Sequence, residues 1–140
     1  MILINAEGNV MGRLASFAAK KAILGENITV VNAEKAVVTG SKDVAVQKMK
    51  RRLGMRGKGN PEKGPKFSRM PDKVLRHSIR GMLPWKSSRG KQAYRRIFVY
   101  IGLPEEFQGK QFTKPEGSEA KDAKRSVLLG EVCKELGAKW

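Results

Sequence analysis

Apolar side chains along this chain recur with two different periods, and the alternation between them outlines a fold. Ile2–Asn5 is a short apolar run that reads as a buried strand, and Gly8 and Asn9 then signal a turn. Met11, Leu14, Ala15, Ala18, Ala22 and Ile23 follow at helical spacing, with Gly25 and Asn27 to close the helix. Asn27–Ala33 contains Ile28, Val30 and Val31, a β-rich run suited to a second strand. Strand, helix and strand within about thirty residues is the size of a βαβ unit, which predicts an α/β fold with a parallel sheet. Ala36–Thr39 reads as a third short strand.

The pattern turns helical again after Ser41, a good N-cap. Asp43 suits the positive end of the helix dipole and Lys50, Arg51 and Arg52 its negative end. Val46, Met49 and Leu53 form its apolar face, and Gly54 offers a stop. From Arg56 to Lys66 there is no apolar side chain, but three glycines and two prolines, so this stretch reads as an extended loop. Pro71 suits the first turn of another helix and Pro84 its end. Leu75, Ile79 and Met82 share one face of it, while Lys73, Arg76 and Arg80 form a stripe opposite. Ile97–Ile101 is the longest apolar run and predicts a central strand covered on both faces. The acid-rich stretch 105–122 reads as surface loop, and Val127–Leu136 as a helix ending at Gly137.

Charge changes this picture from a generic α/β fold to one with a partner. Seventeen of the twenty-nine Lys and Arg residues lie between Lys48 and Arg96, opposed only by Glu62 and Asp72. That segment carries +15 of the formal +16, because residues 1–47 sum to +1 and residues 97–140 to zero. Positive charge confined to one-third of a small chain is the footprint of a polyanion site. The expected phosphate-contacting residues are Arg51, Arg52, Arg56, Lys58, Lys63, Lys66, Arg69, Lys73, Arg76, Arg80, Lys86, Arg89, Lys91, Arg95 and Arg96. Glycines in the loop allow close backbone approach to another surface, and the loop is expected to order on its partner. Trp85 and Tyr94 flank these cations; they either stack on bases or ribose or pack against adjoining helices.

Other chemistries find little support. A length of 140 residues favours one domain, residues 1–140, with the basic segment 48–96 inside it. No apolar run reaches the roughly 18–20 residues that span a bilayer, and the first residues do not resemble a secretory signal. One cysteine and one histidine cannot build a four-ligand zinc site, and a lone Cys133 fits a reducing cytoplasm. Cys133 beside Val132 and Leu136 is most simply a core residue. His77 has no nearby carboxylate or thiol for catalysis and reads as a surface or RNA-contacting residue. Gly8-Asn9-Val10-Met11-Gly12-Arg13 lacks the Gly-Lys-Ser/Thr ending of a phosphate-binding loop; it reads as a tight βα turn in which Gly12 allows close helix packing. No catalytic group, metal, cofactor, membrane or small-molecule substrate is expected. Zinc-finger pairs, heptads and the aromatic pattern of a sheet-based RNA-recognition motif are all missing, so the charge better suits a folded RNA read by shape.

One resemblance rests on ordered motifs. Gly8-x-x-x-Gly12-Arg13-Leu14-Ala15-Ser16, Val31-Asn32-Ala33, Val38-Thr39-Gly40 and Lys42 match the opening pattern of the thirteenth large-subunit ribosomal protein family. Arg80-Gly81-Met82-Leu83-Pro84, Arg89-Gly90 and Val99-Tyr100-x-Gly102-x-Pro104 match its most characteristic block. The match spans roughly residues 2–104; the loop before Arg69 and the ending Gly137-Ala138-Lys139-Trp140 resemble the archaeal form, whereas Glu105 departs from the bacterial pattern. The resemblance implies a three-layer α/β/α domain on a four-stranded parallel sheet with a basic loop-helix extension. It also implies a structural, non-enzymatic role on large-subunit ribosomal RNA beside neighbouring ribosomal proteins, in the cytoplasmic ribosome.

Overall fold

The computed structural model describes residues 1–120 and 126–140. Strand β1 (Ile2–Asn5), helix α1 (Met11–Ile23) and strand β2 (Ile28–Val31) form the βαβ unit that the periodicity predicts. Strand β3 (Val37–Thr39), helix α2 (Lys42–Leu53), helix α3 (Pro71–Gly81), helix α4 (Ser88–Arg95) and strand β4 (Ile97–Val99) follow, and strand β5 (Ser126–Leu128) leads into helix α5 (Leu129–Glu135).

The parallel sheet has three strands in the order β1-β2-β4, not four. The expected third neighbour, β3, pairs instead antiparallel with β5, Val37 opposite Leu128 and Thr39 opposite Ser126. A turn explains the diversion. Asn32 adopts a left-handed conformation (φ 55°) and a 3₁₀ turn at Ala33–Lys35 redirects the chain. The central strand is β2, whose four residues are all buried; β4 lies at the edge with Phe98 47% exposed, which corrects the central placement of Ile97–Ile101. A long apolar run measures hydrophobicity, whereas the middle of a sheet is decided by which strand finds two neighbours.

Alternation along β1 and β2 sorts the core. Ile4, Ile28 and Val30 face the main cluster with Leu14, Ala18, Leu75, Ile79 and Ala93 from the helices. Leu3 and Val31 face the other way, where Phe107 and Phe112 cover them. Stretch 105–122 is therefore more than surface loop within its described part: Phe107 and Ser118 are buried, and positions 121 and 122 lie outside the described residues. Ser118 locks the first βα turn, its hydroxyl donating to Asn9 Oδ1 while Asn9 Nδ2 donates to the Asn5 carbonyl at 2.8 Å. The turn is tight as expected, but Gly12 is exposed with open space where a Cβ would stand, so helix packing does not require glycine there.

Two other local readings change. Val127 and Leu128 belong to β5, so the last helix starts only at Leu129, and Gly137 (φ 88°) follows its end. In α3 the helical phase stops at Gly81. Bonds from Met82 N–H to the Ile79 carbonyl (3.0 Å) and from Leu83 N–H to the Arg80 carbonyl (3.1 Å) tighten its end, leaving Met82 44% exposed while Leu83 enters the core.

Candidate nucleic-acid interface

Three successive pieces carry the positive charge: the end of α2, the segment from Met55 to Met70, and the α3–α4 hairpin. Helix α2 packs Val46, Met49 and Leu53 against Val132 of α5 and Leu136 just past its end, which leaves Lys50, Arg51 and Arg52 exposed around its last turn. There they complement the negative end of the helix dipole. Its N-cap Ser41 is extended as expected, but the side chain accepts no capping bond. The following loop turns back on itself. Asn60 Oδ1 accepts from Glu62 N–H (3.1 Å) and Lys63 N–H (3.4 Å), and the backbones of Gly57 and Gly64 touch so closely that a Cβ on Gly64 would lie 2.8 Å from the Gly57 nitrogen. Arg56, Lys58, Lys63 and Lys66 project from this compact turn into solvent.

Helix α3 is anchored by Pro71, Leu75 and Ile79, all buried. The sequence gives no apolar period for α4, and only the structure shows it. Ser87 caps it, its hydroxyl oxygen accepting from Gly90 N–H at 3.1 Å, and Ala93 is its buried residue next to Gly90. Gly90 is indispensable in this corner: a Cβ would stand 2.1 Å from the Pro84 carbonyl oxygen. The close crossing brings Trp85 and Tyr94 edge to face, with centroids 5.2 Å apart. Arg80 lies over Trp85 at 4.1 Å and Arg76 over Tyr94 at 4.6 Å. Both aromatic residues thus pack within the protein and orient two of the cations.

Of the fifteen sequence-selected cations, all but Arg76, Arg80 and Arg96 are exposed. One is also tied to a helix end: Arg89 Nη2 donates to the Ile23 carbonyl, the last of α1, at 3.5 Å. Lys91 and Arg95 are exposed on α4, and Lys86 is exposed just before its Ser87 cap. Arg52, Lys66, Lys73 and Arg76 converge on one cleft of about 340 Å³. His77 lines the same cleft, edge-on to Phe67 at 5.8 Å. Sequence reading missed Phe67 and Ser78 as cleft residues, because the cleft is assembled from α2, α3 and the segment between them; the helical spacing of Val74 and Ser78 is the one signal that places them together.

Among the described residues two ion pairs occur, Lys35–Glu7 at 3.4 Å and Lys42–Glu135 at 2.8 Å, and both lie outside Lys48–Arg96. Lys42 and Glu135 shift each other: their hydrogen bond and mutual charge raise the Lys42 ammonium and lower the Glu135 carboxyl. Cys133 is a buried core thiol, pushed up to about 11 by burial and then by the Asp72 charge. Among the described residues no cluster of metal-ligating side chains occurs, and no helix is long and apolar enough to cross a membrane.

Comparison with known proteins agrees with this arrangement of motifs. Residues 1–106 match the family model described as Ribosomal protein L13. A protein of Archaeoglobus fulgidus named large ribosomal subunit protein uL13 is 46% identical over 96% of this chain and 86% of its own length. Proteins of the same name from Methanococcus maripaludis (45% identical) and Methanococcoides burtonii (42%) align over the whole of both chains. The chain belongs to the Ribosomal protein L13 family.

Proposed function

From this membership we infer that the chain is a structural constituent of the large ribosomal subunit, without enzymatic activity, and that its Lys48–Arg96 face binds and stabilises folded large-subunit ribosomal RNA. One observation supports the face above all. Seventeen cations are held on three helices and the segments that join them without a single carboxylate ion pair among the described residues, while both ion pairs that occur there lie in the body beside them. The α/β body acts as a platform; α2, the 56–66 loop and the α3–α4 hairpin present Arg and Lys to phosphates at several heights. Each neutralised phosphate releases condensed counterions, so affinity falls steeply with salt. Arg76 and Arg80, oriented by Tyr94 and Trp85, are suited to bidentate phosphate contact, and the exposed lysines act as point charges. Residues 1–140 work as one unit in this reading, with RNA and adjacent ribosomal proteins as partners.

The test is a salt titration of the full chain with a large-subunit ribosomal RNA transcript. Lys63 and Lys86 are exposed and hold nothing else in place, so the Lys63→Ala, Lys86→Ala double variant keeps its unfolding midpoint. If both meet phosphates, the slope of log affinity against log salt shrinks by roughly 1.4–1.8. An unchanged slope removes both pieces from the interface, and a wild-type affinity insensitive to salt ends the electrostatic reading altogether.

A further inference from the structure

We propose that the cleft between α2, Lys66–Ser68 and α3 receives a single nucleotide extruded from the RNA, its base on the apolar floor and its phosphates on the cationic rim. This rests on the reading of the basic face as an RNA interface and names what one part of it recognises.

The cleft has two chemistries at different depths. Of its lining residues, Met49, Leu53, Val74, Leu136, Phe67 and Tyr94 are buried or half-buried and make an apolar floor, whereas Arg52, Lys66 and Lys73 are exposed and stand on its rim. Protein interiors are close-packed, and apolar walls without neighbours forfeit dispersion contacts. A cleft of about 340 Å³ falls at the small end of the range for sites that enclose small ligands. Its rim carries Arg52, Lys66, Lys73 and Arg76 and no Asp or Glu, so the complementary ligand is anionic. Apolar and aromatic below, anionic above, and small: a nucleotide combines these, because every base has a π-face and brings a phosphate with it.

Polar groups of the lining supply the remaining match. Arg76 Nε is buried with no hydrogen-bond partner in the protein, although its guanidinium is held at 4.6 Å over Tyr94. A buried donor left unpaired is costly, and an acceptor from a bound base, ribose or phosphate relieves that cost once the guanidinium shifts to expose Nε on binding. Ser78 Oγ donates to the Val74 carbonyl at 3.2 Å and keeps its lone pairs, while Ser68 Oγ accepts from Met70 N–H at 3.2 Å and keeps its proton. The lining therefore offers both a free acceptor and a free donor to the edge of a base. An aromatic side chain from a neighbouring protein fits the floor equally well but leaves four cations and the Arg76 donor unused. Inorganic phosphate satisfies the rim and leaves the floor bare.

The experiment follows amide shifts of the full-length ¹⁵N-labelled protein with three probes: the four nucleoside 5′-monophosphates, inorganic phosphate, and N-acetyltryptophanamide. Nucleotides shift Phe67, Val74 and His77 together with the rim, whereas phosphate shifts the rim alone and the tryptophan amide binds more weakly than either. Val74→Phe fills the floor without touching a charge. It lowers affinity for the ribosomal RNA about tenfold, within the range for loss of one stacked base, and leaves the salt slope at its wild-type value. Nucleotides that act no differently from phosphate overturn the proposal, as does tighter binding of the tryptophan amide, or a folded Val74→Phe variant with wild-type RNA affinity. Should that variant fail to fold, the three probes on the wild-type protein decide. Failure of the interface itself looks different, since the wild-type protein then shows no salt-dependent affinity for the RNA.

Discussion

Among the described residues, the body formed by residues 1–47 and 97–140 leaves no buried side-chain polar atom unpaired, and the segment 48–96 leaves two. In the body, Asn9 bonds to Asn5 and Ser118, Asn32 Nδ2 donates to Asn5 Oδ1 at 3.0 Å, and Gly102 N–H donates to Glu34 Oε2 at 2.9 Å. Both ion pairs of the described residues are there too. In the segment, Asp72 Oδ1 and Arg76 Nε are the buried side-chain atoms left without a partner among the described residues. Buried polar groups are normally paired, so these two atoms are the exceptions among the described residues. The same segment holds the unopposed charge.

This contrast makes the sharpest demand on α3, which lies in the segment but packs into the core of the body. Leu75 is fully buried in the main cluster while Arg76 and Arg80 of the same helix lie over the rings of Tyr94 and Trp85. Leu75→Ala is expected to cost about 3 kcal/mol in urea unfolding, from lost transfer energy and the cavity left behind. RNA affinity should fall with it, because the hairpin loses its anchor. A loss under about 1 kcal/mol would mean that the site can collapse around the gap and that the segment is only loosely joined to the body.

Gly90→Ala separates the corner from the core. The added methyl meets the Pro84 carbonyl at a distance no packing tolerates, so α4 must move away from the end of α3. Overpacking of this kind costs about 2 kcal/mol. The displaced Tyr94 and Trp85 would release Arg76 and Arg80, so RNA affinity falls more than stability alone explains. Equal loss of stability and retained affinity would show that the two arginines need no aromatic support.

Legibility in the sequence divides along related lines. Helices α1, α2 and α3 were readable because each turns a periodic apolar face to the core, and the first two strands because short β-rich runs flank a helix. The order of the sheet was not readable, since pairing of β3 with β5 joins residues some ninety positions apart and no local signal records it. Helix α4 escaped because it buries only Gly90 and Ala93 and is otherwise polar, its stability coming from the Ser87 cap and the contact with Pro84. The charged residues of the candidate interface were fully legible as composition. Their grouping was not: that Arg52, Lys66, Lys73 and Arg76 share a cleft depends on how α2 and α3 meet.

A smaller effect tests whether Arg80 is supported or merely adjacent. Its guanidinium carbon sits 4.1 Å from the Trp85 ring centroid on a half-exposed surface, a geometry worth about 0.5–1 kcal/mol. Arg80→Ala should lower stability by that amount and reduce the salt slope by about 0.7–0.9, whereas Lys63→Ala reduces the slope by the same step with no change in stability. Identical stability for both variants would put Arg80 among the free cations.

The smallest expected effect lies in the body, where charge is already paired. Lys42 Nζ and Glu135 Oε1 join the start of α2 to the end of α5 at 2.8 Å, with about half of each side chain exposed. Solvent and salt screen such a pair, so Glu135→Gln should shift the unfolding midpoint barely above error at neutral pH. The sign of its pH dependence is fixed. Lys42 holds the Glu135 carboxyl below 4.5, so the pair's contribution is complete above that value and disappears as pH falls through the lowered folded value. Glu135 raises Lys42 above 10.5, so on the alkaline side the contribution is complete below 10.5 and is lost as pH climbs through the raised value. Wild-type and variant curves should therefore run parallel across the neutral range and converge in acid. The substitution takes the formal charge from +16 to +17, as far as total charge is concerned the opposite of removing a lysine from the face. If affinity follows total charge, Glu135→Gln strengthens RNA binding by as much as Lys63→Ala weakens it. If the segment alone is the interface, the salt slope of Glu135→Gln stays at the wild-type value, because counterions are released only where phosphates meet cations.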